Sequence, residues 1–563
     1  MTIKTQKLFV QDGARVSAGT FGAGNSGKLN VTAETIELIG TTPNGQFPSG
    51  LFAQAEQYSA EQYSTGNAGD LTINTQKLFV RDGAWVSAST FGRGKGGNLN
   101  VTAETIELIG TSLNGQLLSS LFAQAAQGLT GNAGDLTIKT QKLFVRDGAQ
   151  VGASTFGAGN SGNLNVTAET IELIGTSANG QFRSGLFAQA NPGSRGNAGD
   201  LTINTQKLFV RDGAKVSAST FGAGNSGKLN VTAETIELIG TTPNGQLPSG
   251  LFAQAEQYST GNAGDLTINT QKLFVRDGAG VFVRSLGTGN AGNLKVTARF
   301  IKLDNQGSLT ASTSSGDGGN ITLSVQDYLF MRRNSNISAS GGNNGGNIFI
   351  NNNPGYRGFV IATPVQNSDI TANASTGQGG KVIINSYGIF GFVPRSREDS
   401  ELRSNGFDPS KLPTNDITAI SQQSPTLSGT VEINTLDVDP SQGLLELPDN
   451  PTDPSSQIAQ NPCQQGAGSS FIITGRGGLP SSPNDGFSSD NVRIDLVNPS
   501  TSSSSSQNST INQPTTQPTA KKIIPAQGWI FNDKGEVVLT AYDPTTTTAQ
   551  RTSKPTAACP APF

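Results

Sequence analysis

The sequence predicts an all-β fold: a parallel β-helix (solenoid) of about thirteen coils, followed by a partly disordered C-terminal tail. The first observation behind this is repetition. LTINTQKLFVRDGA occurs at 71–84, 201–214 and 266–279, and at 136–149 with Lys139 in place of Asn. Arg81, Arg146, Arg211 and Arg276 therefore recur every 65 residues. LNVTAETIELIGT stands unchanged at 29–41, 99–111, 164–176 and 229–241. A fixed period of this kind marks a solenoid, whose units bury their apolar faces only against their neighbours. The second observation is that short apolar runs alternate with period two between Gly, Asn and Asp. The third is that no stretch of the repeats carries i, i+3, i+4, i+7 spacing over three helical turns.

Each 65-residue unit divides into two coils. Leu71 to Asn98 spans 28 residues and Leu99 to Asp135 spans 37. The shorter coil holds three runs, Leu71-Thr72-Ile73, Leu78-Phe79-Val80 and Ala84 to Ser89. The longer holds Leu99-Asn100-Val101, Ile106-Glu107-Leu108 and Leu121-Phe122-Ala123, plus a loop over Gly110 to Ser120. Three strands and three turns give a triangular coil, stacked on the next at about 4.8 Å. Leu71, Ile73, Leu78, Val80, Ala84, Val86 and Ala88 are the expected interior. Phe79 points outward beside Glu107, so Phe alternates with Glu along that face, which reads as a solvated surface that resists self-association, with an aromatic binding strip as the alternative. The Phe21, Phe91, Phe156 and Phe221 series is read as corner packing.

Corners need left-handed backbone, which Gly and Asn tolerate. Asp82-Gly83, Asp147-Gly148, Asp212-Gly213 and Asp277-Gly278 are read as structural corner residues, and the Gly and Asn of GNAGD and GGN as serving the same conformation. Coils continue less regularly at 294–320, 321–347 and 348–380. The next carries an insertion at Pro394 to Asn415, and Val431 to Asn434 reads as the last rung. Two domains are expected: repeats over 1–438 and a Pro/Ser/Thr-rich tail over 439–563. Within the tail, Phe471–Ile473, Val492–Leu496 and Trp529–Thr540 are strand islands able to cap the helix, the last a hairpin turning at Asn532 to Gly535. Cys463 and Cys559 either pair as a disulfide in an oxidising compartment or remain two thiols.

Composition excludes several function classes. With 38 Lys+Arg against 41 Asp+Glu and no His, there is no Ser-His-Asp triad, Cys-His dyad or His-ligated metal. Near-neutral charge without basic clusters argues against a nucleic-acid partner. Two Cys exclude a zinc ribbon or a disulfide-dense scaffold. No run approaches 18 apolar residues, so no transmembrane helix is expected. The N-terminus MTIKTQKLFV has no signal-peptide pattern, and Thr2 to Val10 match Thr72 to Val80, inside a repeat. That suggests the downstream part of a longer protein, with an intracellular repeat protein as the alternative.

GNAGDLTI, VRDGAWVSAST, GGNLNVTAETIEL and DITAISQQSPTLSGTVEIN resemble the filamentous-haemagglutinin-type exoproteins of cyanobacteria, also called S-layer-like or haemagglutination-activity proteins. The resemblance covers about residues 1–440. NPCQQGAGSSFIITGRGGLP and GWIFNDKGEVVLTA are similar to the C-terminal regions of that group. It implies a right-handed parallel β-helix, two-partner secretion through an outer-membrane transporter, and adhesion at the cell surface. The family's signal peptide and secretion domain have no counterpart here.

The expected function is a secreted or cell-surface adhesive rod whose partners are glycans or proteins of other cells. Its best contact candidates are the variable loops Thr111–Ser120, Thr176–Ser184 and Gln57–Thr65. No enzymatic activity is expected: Asp82 and its copies are repeated along the rod, whereas an active site needs one convergence of groups. No cofactor is expected, and the Gly-rich corners lack the GGxGxD spacing of calcium repeats. A carbohydrate-active β-helix enzyme and a non-functional fragment of a split gene are the alternatives. An open pairing edge at the first rung predicts self-association.

Overall fold

In the computed structural model the residues described are 1–59, 62–126, 130–435, 528–531 and 537–540, and the chain divides into two units, Met1–Val438 and Asp439–Phe563. The first unit is a parallel β-solenoid. Its strands fall into three columns, beginning at Thr2–Lys4, Lys7–Gln11 and Arg15–Ser17 and ending at Thr430–Thr435, Ile389–Phe390 and Asp416–Thr418. Thirteen coils are complete, and Thr430–Thr435 is the opening strand of a fourteenth. Like residues stack on like: Leu71 pairs with Leu99, Leu78 with Ile106 and Val86 with Leu121.

The core follows from this register. Leu71, Ile73, Leu78, Val80, Ala84, Val86 and Ala88 are fully buried, and their counterparts join them in one continuous cluster. Alternation along each strand sends the remaining side chains outward. Phe79 sits between Glu37 and Glu107 on the second column, half-buried.

Two features differ from the sequence expectation. The corner between the first and second columns is shallow, and coils 8 to 11 run through it as single strands, such as Leu229–Ile239 and Leu266–Arg276. The two columns therefore share one 23-stranded sheet, and the third column forms a 14-stranded sheet. The bend survives only as a slip in the burial pattern. Leu229, Val231 and Ala233 face in, then Ile236 and Leu238.

The glycines of GNAGD and GGN also act differently from the expectation. They and their Asn neighbours are not left-handed. A Cβ on Gly97 would lie 1.9 Å from the Gly69 carbonyl oxygen, so glycine is required by the close approach of successive coils. The Asn and Asp residues form ladders, in which each side-chain oxygen accepts the backbone N–H of its counterpart one coil on. Asn98 N–H donates to Asp70 Oδ1 at 3.1 Å, Asp135 N–H to Asn98 at 3.1 Å and Asn163 N–H to Asp135 at 2.8 Å. These bonds satisfy corner N–H groups that the strand ladders do not reach.

In the second unit, Gly528–Phe531 pairs antiparallel with Val537–Thr540. The expected turn at Asn532 to Gly535, the islands at 471–473 and 492–496, Cys463 and Cys559 lie outside the described residues.

Candidate functional site

The Asp-Gly corners are built alike. Asp82, Asp147, Asp212 and Asp277 have φ of 56°, 57°, 57° and 59°, and Gly83, Gly148, Gly213 and Gly278 are left-handed too. Both residues of the turn need positive φ, which suits Asp followed by Gly. The copies stay two coils apart, about 9.6 Å, and do not converge. Beside them Arg81 pairs with Glu107 at 3.0 Å and Arg276 with Asp277 at 2.6 Å. The long-coil loops touch each other across the intervening short coil: Asn114 Nδ2 donates to the Gly45 carbonyl at 3.5 Å and Asn179 Nδ2 to that of Gly115 at 3.4 Å.

The outer face of the third column changes character along the unit. Through coil 9 it is filled by aromatic rings, Phe52, Phe122, Phe187, Phe252 and Phe282, which alternate at first with Ser or Gly. Cations lie over these rings. Arg15 is 4.2 Å from the Phe52 centroid, Lys215 4.6 Å from Phe252 and Arg284 4.4 Å from Phe282. The buried Lys215 ammonium is paired with Glu256 at 3.0 Å. Burial lowers the affinity of Lys215 for its proton. Burial also opposes ionisation of Glu256, but Lys215 outweighs it and holds that carboxyl below its ordinary range.

Beyond Phe282 the aromatic position becomes Thr310, Ser338, Thr371 and Thr418 in successive coils. With the rings gone, a groove of about 430 Å³ opens over this face, walled on its far side by Phe407, Asp408, Pro409 and Ser410 of the coil-13 insertion. The insertion is fixed by Arg395, nearly buried, which contacts Asp416 at 2.7 Å, Asp399 at 2.9 Å and Glu401 at 3.0 Å. Asp399 also caps the helix Ser400–Ser404, accepting from Leu402 N–H at 2.9 Å. Leu402, Leu412 and Ile420, with Phe407 against them, form a small separate core. Asn367 ties the loop down through the Ser410 carbonyl at 2.7 Å.

One carboxyl in the groove is unusual. Asp369 is 5% exposed, and its Oδ1 accepts the Asp416 N–H at 2.8 Å. Burial pushes it up to about 7, the Asp416 and Asp408 carboxylates add to this, and the Asp416 N–H bond and Arg395 oppose it. With its proton affinity raised, the carboxyl can act as a donor as well as an acceptor. Asp408 accepts from Ser410 N–H at 3.1 Å and Ser410 Oγ at 2.7 Å. Sequence reasoning missed this site. Its available signal was Asp369-Ile370-Thr371 followed by Asp416-Ile417-Thr418, acids at a third-column position that the regular coils give to Arg, Gly, Ser, Lys, Gln or Trp.

Among the described residues no cluster of three or more Cys, Asp or Glu is placed to hold a metal ion, and no helix is long and apolar enough to cross a membrane. No protein-family model, curated protein or solved structure matches the chain.

Proposed function

We propose that the chain is a structural and adhesive scaffold working outside the cell, where its solenoid holds contact groups at fixed spacing against glycans or proteins of other cells. The observation that carries this reading is the repeated exterior of the second column. Rows of Lys77, Phe79 and Arg81 alternate with rows of Thr105, Glu107 and Ile109, and the pair recurs at Lys142, Phe144 and Arg146 and at Lys207, Phe209 and Arg211. Identical rows about 9.6 Å apart suit many weak contacts made together, where avidity replaces single-site affinity. On the resemblance above, the native protein leaves through an outer-membrane two-partner-secretion transporter.

The test is attachment of cells to surfaces coated with the purified chain, compared with a chain shortened by one 65-residue unit. Attachment that falls with each unit removed is the expected result. A coating no better than an inert protein overturns the reading. A second reading, a carbohydrate-active enzyme, draws on Asp369 and Asp408 sharing one groove, since glycoside hydrolysis uses a pair of carboxyl groups and the proton affinity of Asp369 is raised. Incubation with plant and cyanobacterial polysaccharides, read as new reducing ends or unsaturated sugars, decides it.

A further inference from the structure

We propose that the groove over coils 10 to 12 binds an uncharged oligosaccharide, gripping a segment about one disaccharide long. The inference rests on the adhesive reading and names the ligand class of one of its contact sites.

The wall supplies the chemistry. Ser308, Thr310, Ser338, Ser340, Thr371 and Asn373 present hydroxyl and amide groups from three successive coils. They are already ordered by one another. Ser308 Oγ lies 2.7 Å from Thr310 Oγ1, Thr371 Oγ1 donates to Ser338 Oγ at 3.0 Å, and Asn373 N–H donates to Ser340 Oγ at 3.2 Å. Each hydroxyl has one donor and two lone pairs, so this network leaves acceptor capacity facing the groove. Asp369 adds a carboxyl to the wall: one oxygen holds the Asp416 N–H, and the other is not sealed from solvent, so a ligand in the groove can reach it. A sugar hydroxyl can both donate to it and accept from it.

Other ligand classes fit less well. The strands beneath the groove are paired on both sides, so a peptide finds no open edge to extend. Where the aromatic column stood, the floor presents Thr310, Ser338 and Thr371, which suit hydroxyl ligands better than the apolar side chains of a peptide. A polyanion meets Asp369 and Asp408. Among the described residues the lining holds one cation, Arg284, which is engaged with Gln254 at 3.3 Å and stacked on Phe282. Phe407 borders the groove only by its rim, since Arg397 lies 4.6 Å from its ring centroid and the ring packs against Leu402, Leu412 and Ile420. Size agrees as well. The Ser308 and Asp369 rows are two coil steps apart, about 9.6 Å, and 430 Å³ falls at the small end of ligand sites.

The test uses the full chain and titration calorimetry with cellotetraose, laminaritetraose, maltotetraose and N-acetylchitotetraose, with tetragalacturonate as the acidic counterpart. At least one neutral tetrasaccharide is expected to bind, and tetragalacturonate more weakly. Removing two hydroxyls by Thr371→Val with Ser340→Ala should weaken that binding about thirtyfold, each neutral hydrogen bond contributing about 1 kcal/mol. Ser338→Ala serves as a second, milder variant should the double change disturb folding, and Thr137→Val, on the first column of coil 5, should leave binding unchanged. The proposal is overturned if no neutral tetrasaccharide binds, if tetragalacturonate binds more tightly, or if Thr137→Val matters as much as the groove variants. Lost tetrasaccharide binding in the double variant, with cell attachment intact, upholds the groove and assigns attachment elsewhere. No tetrasaccharide binding, with attachment intact, overturns the groove and leaves the adhesive reading standing.

Discussion

Glycine serves two separate needs along the corners, and substitution distinguishes them. Gly97 sits where the next Cβ would strike the backbone of the preceding coil, which cannot yield without opening the stack. Gly97→Ala should cost about 3 kcal/mol, at the upper end for overpacking. Gly22 has no atom within 4 Å of its would-be Cβ and no left-handed φ. Gly22→Ala should be neutral or gain about 0.5 kcal/mol through the unfolded chain. Denaturant midpoints for the two variants check the contrast, and similar losses in both would contradict it. Asp369 gives a pH dependence whose sign is fixed by its raised proton affinity. The folded state holds a proton that the unfolded chain releases near 3.8, so the stabilising contribution is present below that pH and is lost as pH climbs through about 7. Asp304 runs the opposite way. Burial opposes its ionisation, but Arg332 at 2.9 Å and Arg333 at 2.8 Å outweigh burial and pull it down to about 2. Its contribution is present above 3.8 and is lost as pH falls through about 2. Melting of Asp369→Asn against the parent from pH 4 to 8 should show the parent losing stability on that limb and the variant staying flat.

Among the elements, the coil-13 insertion depends most on a single side chain. Arg395 neutralises Asp416, which is wholly buried, and also anchors Asp399 at the helix start. Arg395→Met should cost about 3–5 kcal/mol by leaving a buried carboxylate unpaired. Trypsin should then cut faster at Arg397 and Arg403, and adding Asp416→Asn should recover part of the loss. An unchanged cleavage rate would show that the loop is held by its small apolar core instead. The strands were legible in the sequence because identical residues recur at a fixed spacing, and period-two alternation assigned Leu78 and Val80 inward. The groove was not legible, for a physical reason. Asp369 and Asp416 are 47 residues apart and become neighbours only through third-column pairing, while the opposite wall comes from an insertion that folds back. The role of the Asn ladder was missed for a similar reason: its bonds join coils, and local turn preference points to a conformation the backbone does not adopt.

For the whole solenoid unit, the repeat that matters is the pair of coils. Deleting Leu136 to Asp200 removes 65 residues and joins Asp135 to Leu201, so the fourth coil meets a coil of the same kind as before. Deleting only Leu136 to Asn163 brings Glu107 beside Glu172 and Ile109 beside Ile174. Adjacent carboxylates repel, and loops already in contact at two-coil separation would be forced into half that distance. The first deletion should melt within a few degrees of the parent, and the second should lose several kcal/mol or fail to fold. Equal melting of the two would remove the coil pair as the structural unit. Because neighbouring loops brace one another across each short coil, length becomes a quantised trait. Gain or loss of a whole 65-residue unit lengthens or shortens the reach in steps of about 9.6 Å, and each such step leaves the alternation of long and short coils unbroken.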